Sequence, residues 1–186
     1  MQPVPTIAVL ADSPALASVL AATLRRKRDW RVREFRDLGA LTDYIRIAPI
    51  ALLVTDFELG QTTAADVAQA IRNDETVAAR AVQIIALSRT ISPQMRRQCV
   101  EAGIDEVIVK PMSPLYLEER VAARIASGPT DYVAAGAGYF GPDRRNRIAL
   151  ADARQHRVER RGENIISFVA HKSIRDRGPD APRPGA

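Results

Sequence analysis

Apolar and polar positions alternate between two textures along the first 126 residues. Short β-branched runs occupy Ile7–Ala11, Val32–Phe35, Ile50–Thr55, Val82–Leu87 and Val107–Val109. Each has the length of a strand, and three of them show little polar alternation, as strands covered on both faces should. The segments between them carry helical spacing. Leu16, Val19, Leu20 and Leu24 fall on one face of a helix, and Leu41 and Ile45 do so in a shorter one. Val67, Ala70 and Ile71 mark a third helix, Met95, Cys99 and Ala102 a fourth, and Leu117, Val121 and Ile125 a fifth. Five strands alternating with five helices predict an α/β fold, a doubly wound five-stranded parallel sheet with helices on both faces. In such a fold the ligand site lies beyond the carboxyl ends of the strands.

Boundary residues support the same division. Ser13-Pro14, Ser92-Pro93 and Ser113-Pro114 each offer an N-cap followed by proline at the first helical position. Gly103 follows the fourth helix, where a left-handed cap is expected. After Ala126 the pattern changes. Ser127-Gly128-Pro129-Thr130 is a breaker cluster and Ala134–Gly138 is built of small residues, so 127–138 reads as a flexible linker. Residues 139–186 read as a basic tail with a short docking motif, a charged helix over Ile148–Arg161 and a disordered Pro- and Gly-rich end. On this division a chain cut after Ala126 keeps every strand and helix of the sheet domain.

Composition narrows the function classes. No apolar run approaches the roughly 18 residues of a membrane span. Met1–Leu10 has neither the basic region nor the apolar stretch of a signal peptide, so the reading is a cytoplasmic protein. One cysteine excludes an internal disulfide framework and a cysteine-built zinc site, and two histidines leave little for imidazole chemistry. The net charge of +5 is concentrated after residue 126. The tail's charges are mixed in sign rather than gathered in a stripe, which argues against nucleic acid as the partner.

Four residues stand where predicted strands end: Asp12, Asp56, Ser88 and Lys110. In a parallel sheet those ends open on one edge. Two carboxylates can hold magnesium, which takes a few oxygen ligands and retains waters. One of them can also attack phosphorus. A hydroxyl and an ammonium group can bind the oxygens of a transferred phosphoryl, a reaction that depends mainly on positioning and charge neutralisation. Singly, each has an ordinary use: the aspartates and the serine as caps or turn residues, the lysine as a solvated cation. The four in order at four strand ends are what point to chemistry.

The segments Val9-Leu10-Ala11-Asp12-Ser13-Pro14, Val54-Thr55-Asp56-Phe57-Glu58-Leu59-Gly60, Ile85-Ala86-Leu87-Ser88 and Val109-Lys110-Pro111 resemble the receiver domains of bacterial response regulators over about residues 5–126. The resemblance implies the flavodoxin-like receiver fold and a phosphoacceptor signalling protein of a two-component phosphorelay, not an enzyme beyond magnesium-dependent self-phosphorylation. It implies Asp56 as phosphoacceptor, Asp12 and Asp56 as magnesium ligands with the Glu58 backbone carbonyl, Ser88 as the switch hydroxyl and Lys110 as the phosphoryl contact, with a Lys-Pro peptide that is commonly cis. The implied partners are a histidine kinase or phosphotransfer protein and a downstream protein target, with homodimerisation left open.

Three positions depart from the family pattern. Ala11 replaces the first of two acids, which should weaken magnesium binding. Val107 stands where an aromatic switch often lies. Arg89 replaces a small residue beside Ser88, where it could screen the site or pair with Glu58. Cys99 reads as a packing residue and Trp30 as an edge residue.

The tail poses the question of output. Tyr139–Arg145 combines two aromatics, a Gly-Pro turn and paired arginines, a composition suited to docking on the receiver or a partner protein. Ile165–Val169 is a short apolar segment that could dock, pair with a partner or stay exposed. The alternatives to a protein-binding switch are a transcriptional or RNA-binding regulator with a compact module in 139–175, or a receiver-like scaffold that is not phosphorylated.

Overall fold

A computed structural model describes residues 4–27, 29–75, 80–128, 131–135 and 138–144, and the backbone of 165–166. The predicted charged helix over Ile148–Arg161, Arg145 of the docking motif and the Pro- and Gly-rich end lie outside the described residues. In chain order the elements are β1 (Thr6–Leu10), α1 (Pro14–Arg25), β2 (Arg31–Phe35), α2 (Leu38–Ile47), β3 (Leu52–Asp56), β4 (Glu58–Leu59), β5 (Thr62–Thr63) and α3 (Ala64–Asn73). They continue with β6 (Gln83–Ser88), α4 (Pro93–Glu101), β7 (Glu106–Val109), α5 (Pro114–Ala126), β8 (Tyr132–Ala135), β9 (Tyr139–Pro142) and β10 (Ile165–Ile166).

The main sheet has the order β10-β7-β6-β3-β1-β2, parallel throughout except for β10, which runs antiparallel to β7. The five parallel strands thus have the doubly wound order in which β1 and β3 flank the point where the winding reverses. Their inner members are buried on both faces, which is why β3 and β6 read as nearly unbroken apolar runs.

Two cores result. One lies under α2, α3 and α4, around Leu41, Ile45, Val67, Ile71 and Cys99, and includes Val107. The other lies under α1 and α5, around Leu20, Leu24, Leu117 and Val121, and includes Ala11. Burial of Cys99 pushes its thiol up to about 12, so it stays an uncharged packing group. Trp30 is buried in the second core and donates its indole N–H to the Leu24 carbonyl at 2.7 Å.

The serine caps form as predicted at Ser13, Ser92 and Ser113, each with proline in the first turn. Thr63 and Asp66 add a capping box at α3. Strand limits shift by a residue or two, so that Asp56 and Ser88 are the last residues of their strands.

The larger correction concerns the segment read as a linker. Tyr132–Ala135 is a strand, paired antiparallel with Tyr139–Pro142 in a hairpin. The hairpin lies at the amino-terminal end of the sheet, opposite the end where Asp56 lies. Tyr132 reaches the buried pair of Arg72 and Asp105, 3.6 Å apart. Its hydroxyl is 2.8 Å from Asp105 Oδ2 and 3.0 Å from the Val82 carbonyl, and Arg72 lies 4.8 Å from its ring centre. Gly103 has φ +74, and a side chain there would meet the Phe140 carbonyl at 2.7 Å. Glycine is therefore required both for the turn after α4 and for the hairpin's approach.

Candidate functional site

The carboxyl ends of β1, β3, β6 and β7 are aligned by register: Leu10 is opposite Thr55, Asp56 opposite Leu87, and Ser88 opposite Val109. Asp56 closes β3 and is 8% exposed. Lys110 follows β7, where its backbone N–H donates to the Ser88 carbonyl at 2.7 Å, fixing the turn beside the end of β6. The Lys110-Pro111 peptide is cis. From there the ammonium donates to Asp56 Oδ1 at 2.5 Å, a charge-assisted bond between strands β3 and β7, separated in the sheet by β6.

Asp12 follows β1 and is exposed at the same edge. Its Oδ1 lies against Gly60, where a Cβ would come within 3.3 Å. Gly60 has φ +65, so the β4–β5 turn and the space beside Asp12 both call for glycine. Glu58 begins β4 and has an exposed side chain. Ser88 is brought to the edge, but its hydroxyl donates to the Thr90 carbonyl at 2.7 Å and lies 3.7 Å from Met95 Sδ. The structure therefore joins Asp56 to Lys110, sets Asp12 beside the Gly60 turn and holds the Ser88 hydroxyl in its own loop. Thr90 was not singled out from sequence, and Met95 was read only as an apolar position of the fourth helix; a threonine two residues after the serine is the one local signal for the hydroxyl's attachment.

Arg89 and Glu58 are both exposed, and among the described residues no ion pair joins them. The screening pair expected at the rim is thus not formed. Ala11 is 4% exposed within the α1–α5 core, and Val107 is fully buried in the other. Both departures from the family pattern are accommodated as apolar packing.

A sequence model of the response regulator receiver domain matches residues 7–122. The chain belongs to the response regulator receiver family. Among curated proteins, none matches the chain by sequence. Solved receivers share its fold. The chemotaxis response regulator CheY4 of Vibrio cholerae superposes with a TM-score of 0.58 at 17% identity, covering 66% of this chain and 99% of that one. A CheY-like receiver from Methanospirillum hungatei gives 0.60 at 17%, covering 67% and 96%. The receiver of a signal transduction histidine kinase from Syntrophus aciditrophicus gives 0.59 at 17%, covering 72% and 99%.

Receivers are signalling proteins rather than classical enzymes, they meet histidine kinases or phosphotransfer proteins and downstream targets, and they generally bind magnesium at the phosphorylation site. In this receiver Asp56 ends β3 and Asp12 follows the adjacent β1, so two carboxylates stand at that edge, hard oxygen donors of the kind magnesium takes. Among the described residues no group of three or more His, Cys, Asp or Glu side chains could hold a metal, and none of their helices is long and apolar enough to cross a membrane.

Proposed function

We propose that this receiver takes a phosphoryl group on Asp56 from a phosphohistidine donor and signals through protein contacts. The observation that carries the reading is the 2.5 Å bond from Lys110 to Asp56 Oδ1. It offsets the charge of the carboxylate and puts a cation where phosphoryl charge arrives.

In the transfer an Asp56 oxygen forms a bond to phosphorus as the donor's P–N bond breaks, with the electron pair leaving to the imidazole nitrogen. The product is an acyl phosphate. Lys110 holds the nucleophile before transfer and binds a phosphoryl oxygen after it. Asp12, Asp56 and the Glu58 carbonyl would hold magnesium, which supplies charge neutralisation for the incoming phosphoryl when bound.

Ser88 is the readout. Its hydroxyl leaves the Thr90 carbonyl for a phosphoryl oxygen, breaking its contact with Met95 in the first turn of α4. With Val107 in place of an aromatic ring, α4 rather than a ring at β7 carries the change.

Incubation with acetyl phosphate and magnesium, followed by intact mass, tests the reading. One phosphoryl group should add to the unaltered chain and none to Asp56→Asn. Uptake by that variant, or none by the unaltered chain, contradicts it.

A further inference from the structure

The two edges of the main sheet are protected by different means. At β2, residues Arg31, Arg33 and Glu34 are exposed, Arg25 pairs with Glu34 at 2.7 Å, and Arg33 lies 5.1 Å from the Tyr44 ring centre. Charged side chains of this kind discourage pairing with another strand. Among the described residues the opposite edge has no such guard. β7 reads Glu-Val-Ile-Val, and its one charge is turned away, since Arg120 and Arg124 of α5 bind the Glu106 carboxylate at 2.6 and 2.8 Å. What covers this edge is β10, with Ile165 opposite Ile108 and Ile166 opposite Val107.

Two paired residues make a short strand against a four-residue edge. Arg144 Nη2 donates to the Ile104 carbonyl at 2.8 Å, so the described chain leaves the hairpin just before β7 begins. The 20 residues from 145 to 164 could extend up to about 70 Å, whereas β7 is only about 13 Å long. Nothing about the connection's length forces the tail onto this edge. The tail sequence Asn164-Ile165-Ile166-Ser167-Phe168-Val169 is uncharged and β-branched, the composition of an adding strand.

We propose that the β7 edge is a binding surface for an extended antiparallel strand, and that this chain's own Ile165–Ile166 segment is its resident, displaceable occupant. A partner joins by β-strand addition, its backbone supplying the hydrogen bonds and its apolar side chains the selectivity. It must first displace the tail, which therefore sets the threshold for binding. Lys110 follows directly on Val109, so the surface ends one residue before the lysine that is bonded to Asp56. The inference does not depend on phosphorylation and is tested without donor or magnesium.

The probe is a fluorescein-labelled peptide of residues 162–170, titrated by anisotropy into two full-length chains. One is unaltered. The other carries Ile165→Pro and Ile166→Pro, which remove the tail's pairing N–H groups without touching the receiver core. The peptide should bind the proline chain at least tenfold more tightly than the unaltered chain, and a peptide carrying both prolines should bind neither. Equal binding to both chains, or none to the proline chain, overturns the proposal. Concentration-dependent dimerisation of the unaltered chain, abolished by the two prolines, would place the tail on a second copy and overturn its assignment as an internal occupant.

Discussion

Lys110 is the residue on which the site's electrostatics turn. It is partly exposed, so its bond to Asp56 adds modest stability; its value lies in where it puts a positive charge. Lys110→Met should therefore leave the fold intact and slow phosphorylation by acetyl phosphate by on the order of 100-fold, the usual effect of losing one donor to developing negative charge. Stopped-flow or quench-flow rates would show it, and an unchanged rate would remove Lys110 from the mechanism. Asp12 is proposed to act on the metal instead. With Ala11 buried beside it in the core, Asp12 is the remaining acid at the end of β1, and Asp12→Ala should weaken magnesium binding by about tenfold, or ~1.4 kcal/mol. Calorimetry is the suitable probe, because Trp30 is packed near the start of β2, away from the metal edge. An unchanged affinity would mean that Asp12 is not a ligand.

At the scale of elements, two buried ionic groups tie segments together at the amino-terminal end of the sheet. Glu106 of β7 binds Arg120 and Arg124 of α5. Burial favours its neutral form, but the arginine hydrogen bonds and charges outweigh burial and hold the carboxyl below the usual range. A depressed folded-state pKa contributes stability that is complete above the ordinary glutamate value of about 4.3 and is lost as pH falls through the folded value. Glu106→Gln should thus cost about 2–3 kcal/mol at neutral pH. It should also flatten the loss of stability below about pH 4.3. Denaturant melts at several pH values would check both, and an unchanged acid limb would assign that limb to other carboxylates.

The second group is Arg72, 2% exposed, held by Asp105, Tyr132 and the carbonyls of Arg80, Val82 and Gly103. Burial lowers its pKa, and the surrounding acceptors offset part of that cost. Tyr132→Phe should cost about 1–3 kcal/mol. A chain ending at Ala126 should melt well below the full chain, because it opens the guanidinium and Asp105 to water on the hairpin's side. Equal melting of the cut and full chains would show that the hairpin only rests on the surface.

For the whole molecule, the receiver fold was legible because double burial leaves its mark on sequence. Strands such as Leu52–Asp56 and Gln83–Ser88 are covered on both faces and so read as apolar runs, and the residues that end them stand out as polar. Asp12, Asp56, Ser88 and Lys110 were found in this way. The Ser88 hydroxyl's attachment to Thr90 was not, since a rotamer leaves no trace in residue type. The hairpin was missed for a different reason. Its strands follow a Ser-Gly-Pro-Thr breaker and include small residues, so neither shows enough alternation to read as a strand. The available signal was Arg72, which lies four residues after Ala68 and beside Ile71 on the buried stripe of α3 and so required a partner from elsewhere. β10 was equally hidden, because a two-residue strand gains its identity from the edge it covers.

These scales meet in one claim, that the sheet exists to present Asp56 to a phosphoryl donor. The most direct measurement locates the group itself. The full chain, treated with acetyl phosphate and magnesium, is reduced with borohydride, which converts an aspartyl phosphate to homoserine, and then mapped by tandem mass spectrometry. The account predicts homoserine at position 56 and at no other aspartate. Homoserine at a different aspartate, or none after treatment of folded, magnesium-saturated protein, would contradict it.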